Sequence, residues 1–243
     1  MSSQGIAENL RKIRERMARA AGRAGRRPEE ITLVGVSKTF PAECIREAFE
    51  AGVRHFAENR VQEWEGKRGA VQDLPATWHL IGHLQSNKAA RAARLFDCVD
   101  SLDDAGLAQR LDRARAPILS GRAEVPSAKK LRVLLEVRLA PEETKSGIAE
   151  AELPALAEKV LALPQLDLGG LMCIPPFLED PERVRPYFRR LRELRDVLAQ
   201  RLGRPLAVLS MGMSHDFEAA IEEGATEVRI GTALFGGRPA ARE

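Results

Sequence analysis

A chain of 243 residues with 44% hydrophobic and 30% charged residues can build a large core under a solvated surface, which excludes disorder as its main state. Its 38 Lys and Arg against 35 Asp and Glu leave a net charge of only +3, too small an excess to imply nucleic-acid binding. Cys44, Cys98 and Cys173 are odd in number and lack metal-site spacing, and no stretch reads as a signal peptide or membrane span, so reduced thiols, no membrane partner and a cytoplasmic location are expected.

From Ala7 to Ala21 the residues Ile6, Leu10, Ile13, Met17 and Ala20 or Ala21 recur at helical spacing, predicting an amphipathic leading helix that ends at Gly22 and Gly25. Ile31 to Ser37 is a short β-branched run, and Pro41 opens a helical pattern through Ile45, Ala48 and Phe49 that stops at Gly52. Further strands are predicted at Arg54 to Glu58, Trp78 to Gly82, Cys98 to Ser101, Leu131 to Leu139, Leu168 to Ile174, Leu206 to Met211 and Val228 to Leu234. Helical stretches fall between them, around Val61 to Ala70, Gln85 to Leu95, Asp104 to Leu119, Ile148 to Leu163, Pro181 to Leu202 and His215 to Glu223. Ser120 to Lys130 reads as a surface loop, and the arginines from Arg183 to Arg195 read as one solvated helix face.

Eight strands alternating with helices predict a parallel (β/α)8 TIM barrel with an extra N-terminal helix, a single domain over residues 1–243. An open doubly wound sheet would announce itself by a G-x-G-x-x-G turn after the first strand, and none stands there. Packing under the barrel is the expected fate of the leading helix's apolar stripe, an oligomer interface the alternative.

In such barrels function collects at the C-terminal strand ends. Lys38 closes the first strand, where desolvation lowers an amine's pKa and makes it a nucleophile toward carbonyls. The bland alternative, a lysine that snorkels outward or pairs with Glu58, stands on equal footing from this residue alone. Ser210 to Asp216 leaves the seventh strand and opens a helix, with Ser214 expected as N-cap over an anion site. Gly231 and Thr232 end the eighth strand and bring a close backbone and a hydroxyl to the same spot. A phosphate cradle facing an amine suits a ligand carrying both phosphate and aldehyde: pyridoxal 5′-phosphate (PLP), or equally the sugar phosphate of a Schiff-base aldolase.

Val34-Gly-Val-Ser-Lys-Thr39, Ala57-Glu-Asn59 with Val61-Gln-Glu63, Trp78 through Lys88, Lys145-Ser-Gly147, Gly170-Leu-Met172 and Leu209-Ser-Met-Gly-Met-Ser214 through Val228-Arg-Ile-Gly-Thr232 run in order along nearly the whole chain. Together they resemble the PLP homeostasis protein family, which is similar to the N-terminal barrel domain of alanine racemase. The resemblance implies PLP held as a Schiff base on Lys38. It implies Ser214, Gly231 and Thr232 at the phosphate with Ser210 and Met213 beside them, Arg229 near the pyridine nitrogen, and Asn59, Ile81 and Gly82 lining the ring. It implies PLP supply without a known turnover reaction, with apo PLP-dependent enzymes as recipients. The alternative is a PLP-dependent enzyme such as an amino-acid racemase, but that chemistry needs an acid or base on each face of the substrate carbon, and the only tyrosine, Tyr187, sits in a surface-like helix. Arg60 and Arg138 depart from the family pattern by adding charge near the mouth, as does Ala57 where glycine is usual. His83 and His215 are read as hydrogen-bonding wall residues, Lys88 as solvated charge, and Lys145 as a candidate second PLP contact.

Overall fold

The computed structural model describes residues 3–119, 129–140 and 146–237, and all eight expected strands are present, each parallel to the next. They are β1 (Thr32–Val36), β2 (His55–Glu58), β3 (Thr77–Leu80), β4 (Cys98–Leu102), β5 (Leu131–Glu136), β6 (Leu166–Met172), β7 (Val208–Met213) and β8 (Glu227–Ile230). The sheet closes because β1 pairs with β8 as well as with β2, setting Leu33 opposite Val228 and Gly35 opposite Ile230. The described helices are α1 (Ser3–Arg23), α2 (Ala42–Glu50), α3 (Val61–Arg68), α4 (Ala89–Leu95), α5 (Ala105–Leu119), α6 (Leu153–Leu161), α7 (Arg185–Leu202), α8 (Phe217–Glu222) and α9 (Thr232–Phe235). None of them is long and apolar enough to cross a membrane. Most of the loop expected at Ser120 to Lys130 lies outside the described residues.

Strand side chains alternate between two environments, as the two-residue period requires. Phe56, Leu80, Val99, Val133 and Val228 join the main apolar layer, while Val34, Val36, Ala57 and Ile81 form a separate small cluster. Lower in the barrel the alternate positions are ionic. His79, Cys98 and Arg132 are register neighbours on β3, β4 and β5, with Asp100 one step further along β4 and Glu227 arriving from β8. His79 Nδ1 lies 2.8 Å from Asp100 Oδ2 and its Nε2 3.1 Å from His55 Nδ1, while Arg132 donates to Glu227 at 2.9 Å. Burial disfavours an imidazolium at His79, but the Cys98 sulfur and the Asp100 and Glu227 carboxylates outweigh it and hold its pKa well above the ordinary value. Burial, reinforced by His79, pulls His55 down to about 4.

Three expectations are refined. The run from Val228 to Leu234 is not one strand: β8 stops at Ile230, and the Gly231 carbonyl accepts from the Leu234 and Phe235 amides to wind α9. The β-branched residues conceal that turn because their propensity is satisfied by the four strand residues alone. The leading helix lies against α8, α9 and α2, with Ile6, Leu10, Ile13, Met17, Ala20 and Ala21 all buried, so its stripe is an internal contact. Asn9 donates to the Leu234 carbonyl at 3.0 Å and so ties α1 to α9. The arginines of α7 are paired as well as solvated: Arg185 reaches Glu182 and Glu222, and Arg189 reaches Glu223.

Close strand approach fixes where glycine is compulsory. A Cβ on Gly170 would sit 1.9 Å from the Val208 carbonyl oxygen of the neighbouring strand, whereas one on Gly22 in α1 would meet nothing within 4 Å. Gly170→Ala is therefore expected to cost at least about 1–3 kcal/mol, and thermal unfolding should show a fall of about 2–4 °C in Tm for each kcal/mol. Gly22→Ala should leave Tm unchanged or raise it, because alanine is the better helix former by about 1 kcal/mol.

Candidate functional site

The ten residues expected at the site lie at the C-terminal ends of five strands that are contiguous around the closed barrel, in the order β7, β8, β1, β2, β3. Lys38 is half-buried, two residues beyond β1. Across the β1–β8 seam from the end of β1 is the turn at Gly231, where a Cβ would lie 3.6 Å from both Cβ and the carbonyl oxygen of Val36. On the other side β3 follows β2 closely: Ile81 N–H donates to the Glu58 carbonyl at 3.0 Å, and a Cβ on Gly82 would stand 2.3 Å from the Asn59 carbonyl oxygen. Only glycine at position 82 lets the Asn59 backbone come so near.

Ser214 does not cap α8 as expected. The turn from Met213 is closed by its own ends, Asp216 N–H donating to the Met213 carbonyl and Met213 N–H to Asp216 Oδ1, so the helix begins at Phe217. That releases the Ser214 side chain toward β8, where its Oγ accepts from the Gly231 and Ala233 amides, each at 3.2 Å. A hydroxyl from the β7 loop and two backbone N–H groups from the start of α9 converge on one spot, with exposed Thr232 between those amides. This is the arrangement in which (β/α)8 barrels bind phosphate, between the loops after strands seven and eight and at the start of a short extra helix.

Arg229 is almost wholly buried and fixed on both arms: Nη1 donates to Ser210 Oγ and Nη2 to the Cys173 carbonyl, each at 2.8 Å. It thus links β8 to β7 and to the end of β6. Burial pushes the adjacent Cys173 thiol up to about 12, so that sulfur stays protonated. His215 Nε2 lies 2.9 Å from the Glu179 carbonyl and its ring packs on Phe177, while His83 is exposed, 3.8 Å from Asp103. His215 thus has the hydrogen bond expected of it, whereas the Asp103 contact of His83 is too long to be one. Arg60 is exposed just before α3, and the Arg138 amide pairs with the Ile148 carbonyl. Lys145 lies outside the described residues.

What sequence reasoning missed is how the Lys38 segment is held. Glu58 does not await Lys38; its partner is Lys67 on α3, whose Nζ donates to Glu58 Oε1 at 3.0 Å, Glu63 Oε1 at 2.8 Å and the Ser37 carbonyl at 2.9 Å. Glu63 also accepts from the Thr39 amide, and Thr39 is the one non-glycine among the described residues with positive φ, at 69°. Lys38 therefore sits between two residues pinned to α3, the second in a backbone region that costs free energy unless its surroundings enforce it. Burial pushes Glu58 above the usual carboxylate value despite Lys67 and the Ser37 hydroxyl. At Glu63 burial acts the same way, but hydrogen bonds from Lys67 and Thr39 prevail and lower it. The signal was present in the sequence as a Glu63 and Lys67 pair at i,i+4 spacing.

Removing the Lys67 ammonium leaves Glu58 buried, 1% exposed, without its cation. Lys67→Met is expected to destabilise the protein by about 3–5 kcal/mol, seen as a lower urea midpoint, and combining it with Glu58→Gln should restore most of the loss. A single-mutant midpoint equal to wild type would show that the tripod carries no energy.

The chain's residues 2–239 match the alanine racemase N-terminal domain family. It is 48% identical over 233 residues to the pyridoxal phosphate homeostasis protein of Aquifex aeolicus, covering 95% of this chain and 97% of that one. Among solved structures it is similar to PipY of Synechococcus elongatus, solved with PLP bound, at 39% identity and a TM-score of 0.81, covering 95% of this chain and all of that one. Alanine racemase of Clostridium difficile shares the fold at 15% identity and a TM-score of 0.72, with 98% of this chain matching 58% of the racemase. The chain belongs to the pyridoxal phosphate homeostasis protein family, built on the alanine racemase N-terminal domain.

Proposed function

We propose that this protein binds PLP reversibly on Lys38 and supplies it to apo-enzymes in the cytosol, with the chain from 1 to 243 acting as one unit and without a turnover reaction of its own. The observation that carries this reading is the convergence of Ser214 Oγ with the Gly231 and Ala233 amides, one strand away from the segment that presents Lys38. The two amides donate to Ser214 Oγ here and would turn to a phosphate dianion with the hydroxyl donating beside them, since hydrogen bonds to charged groups are the stronger ones. PLP supplies the aldehyde that an amine such as that of Lys38 captures, together with the phosphate that the cradle holds. Asn59, Ile81 and Gly82 form the wall on the β2–β3 side. Ser210 and Met213 support the β7 side, Ser210 by holding Arg229 and Met213 by closing the turn that sends Ser214 across.

Arg229 bears on the choice between supplying PLP and using it. A guanidinium stays protonated, so beside the pyridine nitrogen it leaves that nitrogen without a proton and weakens the ring as an electron sink. Its two hydrogen bonds fix it in place. This favours holding the cofactor over the carbanion chemistry of a racemase. The cytosolic setting suits three free cysteines, a pattern of reducing compartments.

Borohydride reduction of the protein mixed with PLP, followed by peptide mapping, should place the pyridoxyl mass on the Lys38 peptide and nowhere in Lys38→Ala. Ser214→Ala should weaken PLP binding by roughly ten- to hundredfold, the worth of one hydrogen bond to a charged group. A pyridoxyl mass on another lysine would contradict the assignment, and release of α-deuterium from a labelled amino acid at an enzymatic rate would favour the racemase reading.

A further inference from the structure

The ionic layer in the lower barrel plays no part in the site above, and its composition is unusual for a packing layer. His79, Cys98 and Asp100, all buried, present a nitrogen, a sulfur and an oxygen within 4.8 Å of one another. They come from adjacent strands, the His79 and Cys98 positions being register partners, so the barrel wall itself holds the three together. Two oxygens there find no hydrogen-bond partner, Asp100 Oδ1 and Glu227 Oε1, and the second stands 3.9 Å from His79 Nδ1. Unpartnered carboxylate oxygens in a buried site are costly and call for a partner. Of the three, Cys98 lines, together with His55 and Arg132, a cavity of about 960 Å³ at the N-terminal ends of the strands, the end opposite Lys38.

We propose that His79, Cys98 and Asp100 bind a divalent late transition-metal ion of the Zn2+ type, with Glu227 completing the set. One imidazole, one thiolate and carboxylate oxygens match the ligands that Zn2+ accepts in tetrahedral sites. Tetrahedral zinc wants its ligand atoms roughly 3.5 Å apart, so the ion would open the 2.8 Å contact of His79 with Asp100 and draw in the longer spacings. The charges balance. With the ion bound, Zn2+ and Arg132 stand against the Asp100 and Glu227 carboxylates and the Cys98 thiolate. Ligation needs a neutral imidazole and a thiolate, so any proton that His79 or Cys98 carries is released to solvent as the ion enters. Arg132 stands beside the proposed ion, its Nη2 3.4 Å from His79 Nδ1, and donates to Glu227 Oε2 at 2.9 Å, so its charge is already met by a carboxylate.

The site is distinct from the PLP cradle, and its test does not involve Lys38. The reduced full-length protein is incubated with Zn2+ under nitrogen, and metal content, zinc-edge X-ray absorption and Tm are measured for wild type, Cys98→Ser and Asp100→Asn. One zinc per chain is expected, with one sulfur at about 2.3 Å and nitrogen or oxygen ligands at about 2.0–2.2 Å, and with a Tm that rises with zinc as ligand binding to the native state requires. Cys98→Ser, nearly isosteric, should fold, lose the sulfur shell and lose the zinc-dependent rise, and Asp100→Asn should weaken binding while keeping the sulfur. Zinc bound without sulfur, equal binding by Cys98→Ser, or no stoichiometric zinc on the wild type would each overturn the proposal, the layer then being an ion-pair network only.

Discussion

The hydrogen-bonded seam between β1 and β8 is the constraint on which the rest depends. It joins residues almost two hundred positions apart, pairing Thr32 through Gly35 with Glu227 through Ile230, and so sets Val36, two residues before Lys38, beside Gly231. Neither half of the proposed site means much alone: a lysine after a strand can face solvent, and a serine accepting two amides can be an ordinary loop clasp. Closing the barrel turns them into an amine and an anion cradle on one rim, which is the geometry a phosphorylated aldehyde requires.

Two sets of side chains keep that rim in shape. On the β1 side, Lys67 holds Ser37 and, through Glu63, Thr39, so the residues flanking Lys38 are moored to α3. On the β8 side, Asn9 of the leading helix anchors the Leu234 carbonyl of α9, while Arg229 braces β8 against Ser210 and the end of β6. The leading helix thus supports the β8 side of the rim from outside the barrel, which gives a structural reason for a helix ahead of the first strand.

The barrel was legible in the sequence because its signal is repeated: eight short apolar runs, each followed by a helical pattern. The rim residues were legible because polar groups standing where an apolar run ends are conspicuous. Less visible was anything that depends on pairing between distant strands. Ser214 looked like a helix cap because Asp216, two residues on, looks equally polar, and only the tertiary turn decides which of them faces α8. Val228 to Leu234 read as one strand because Thr232 and the apolar Ala233 and Leu234 carry the run past Gly231, where the chain changes direction. The lower ionic layer went unread although Trp78-His79-Leu80, Cys98-Val99-Asp100 and Glu227-Val228-Arg229 alternate polar with apolar, since such alternation signals a wet face in most sheets and a buried one only inside a closed barrel.

The central claim is that Lys38 and the Ser214, Gly231 and Thr232 cradle act on the same molecule. Competition between PLP and pyridoxal, which carries the aldehyde but no phosphate, for reductive labelling of the Lys38 peptide tests this most directly. The account predicts a strong preference for PLP that collapses in a Ser214→Ala, Thr232→Val double variant. Equal labelling by the two aldehydes in the wild type, or a preference that survives both substitutions, would contradict it.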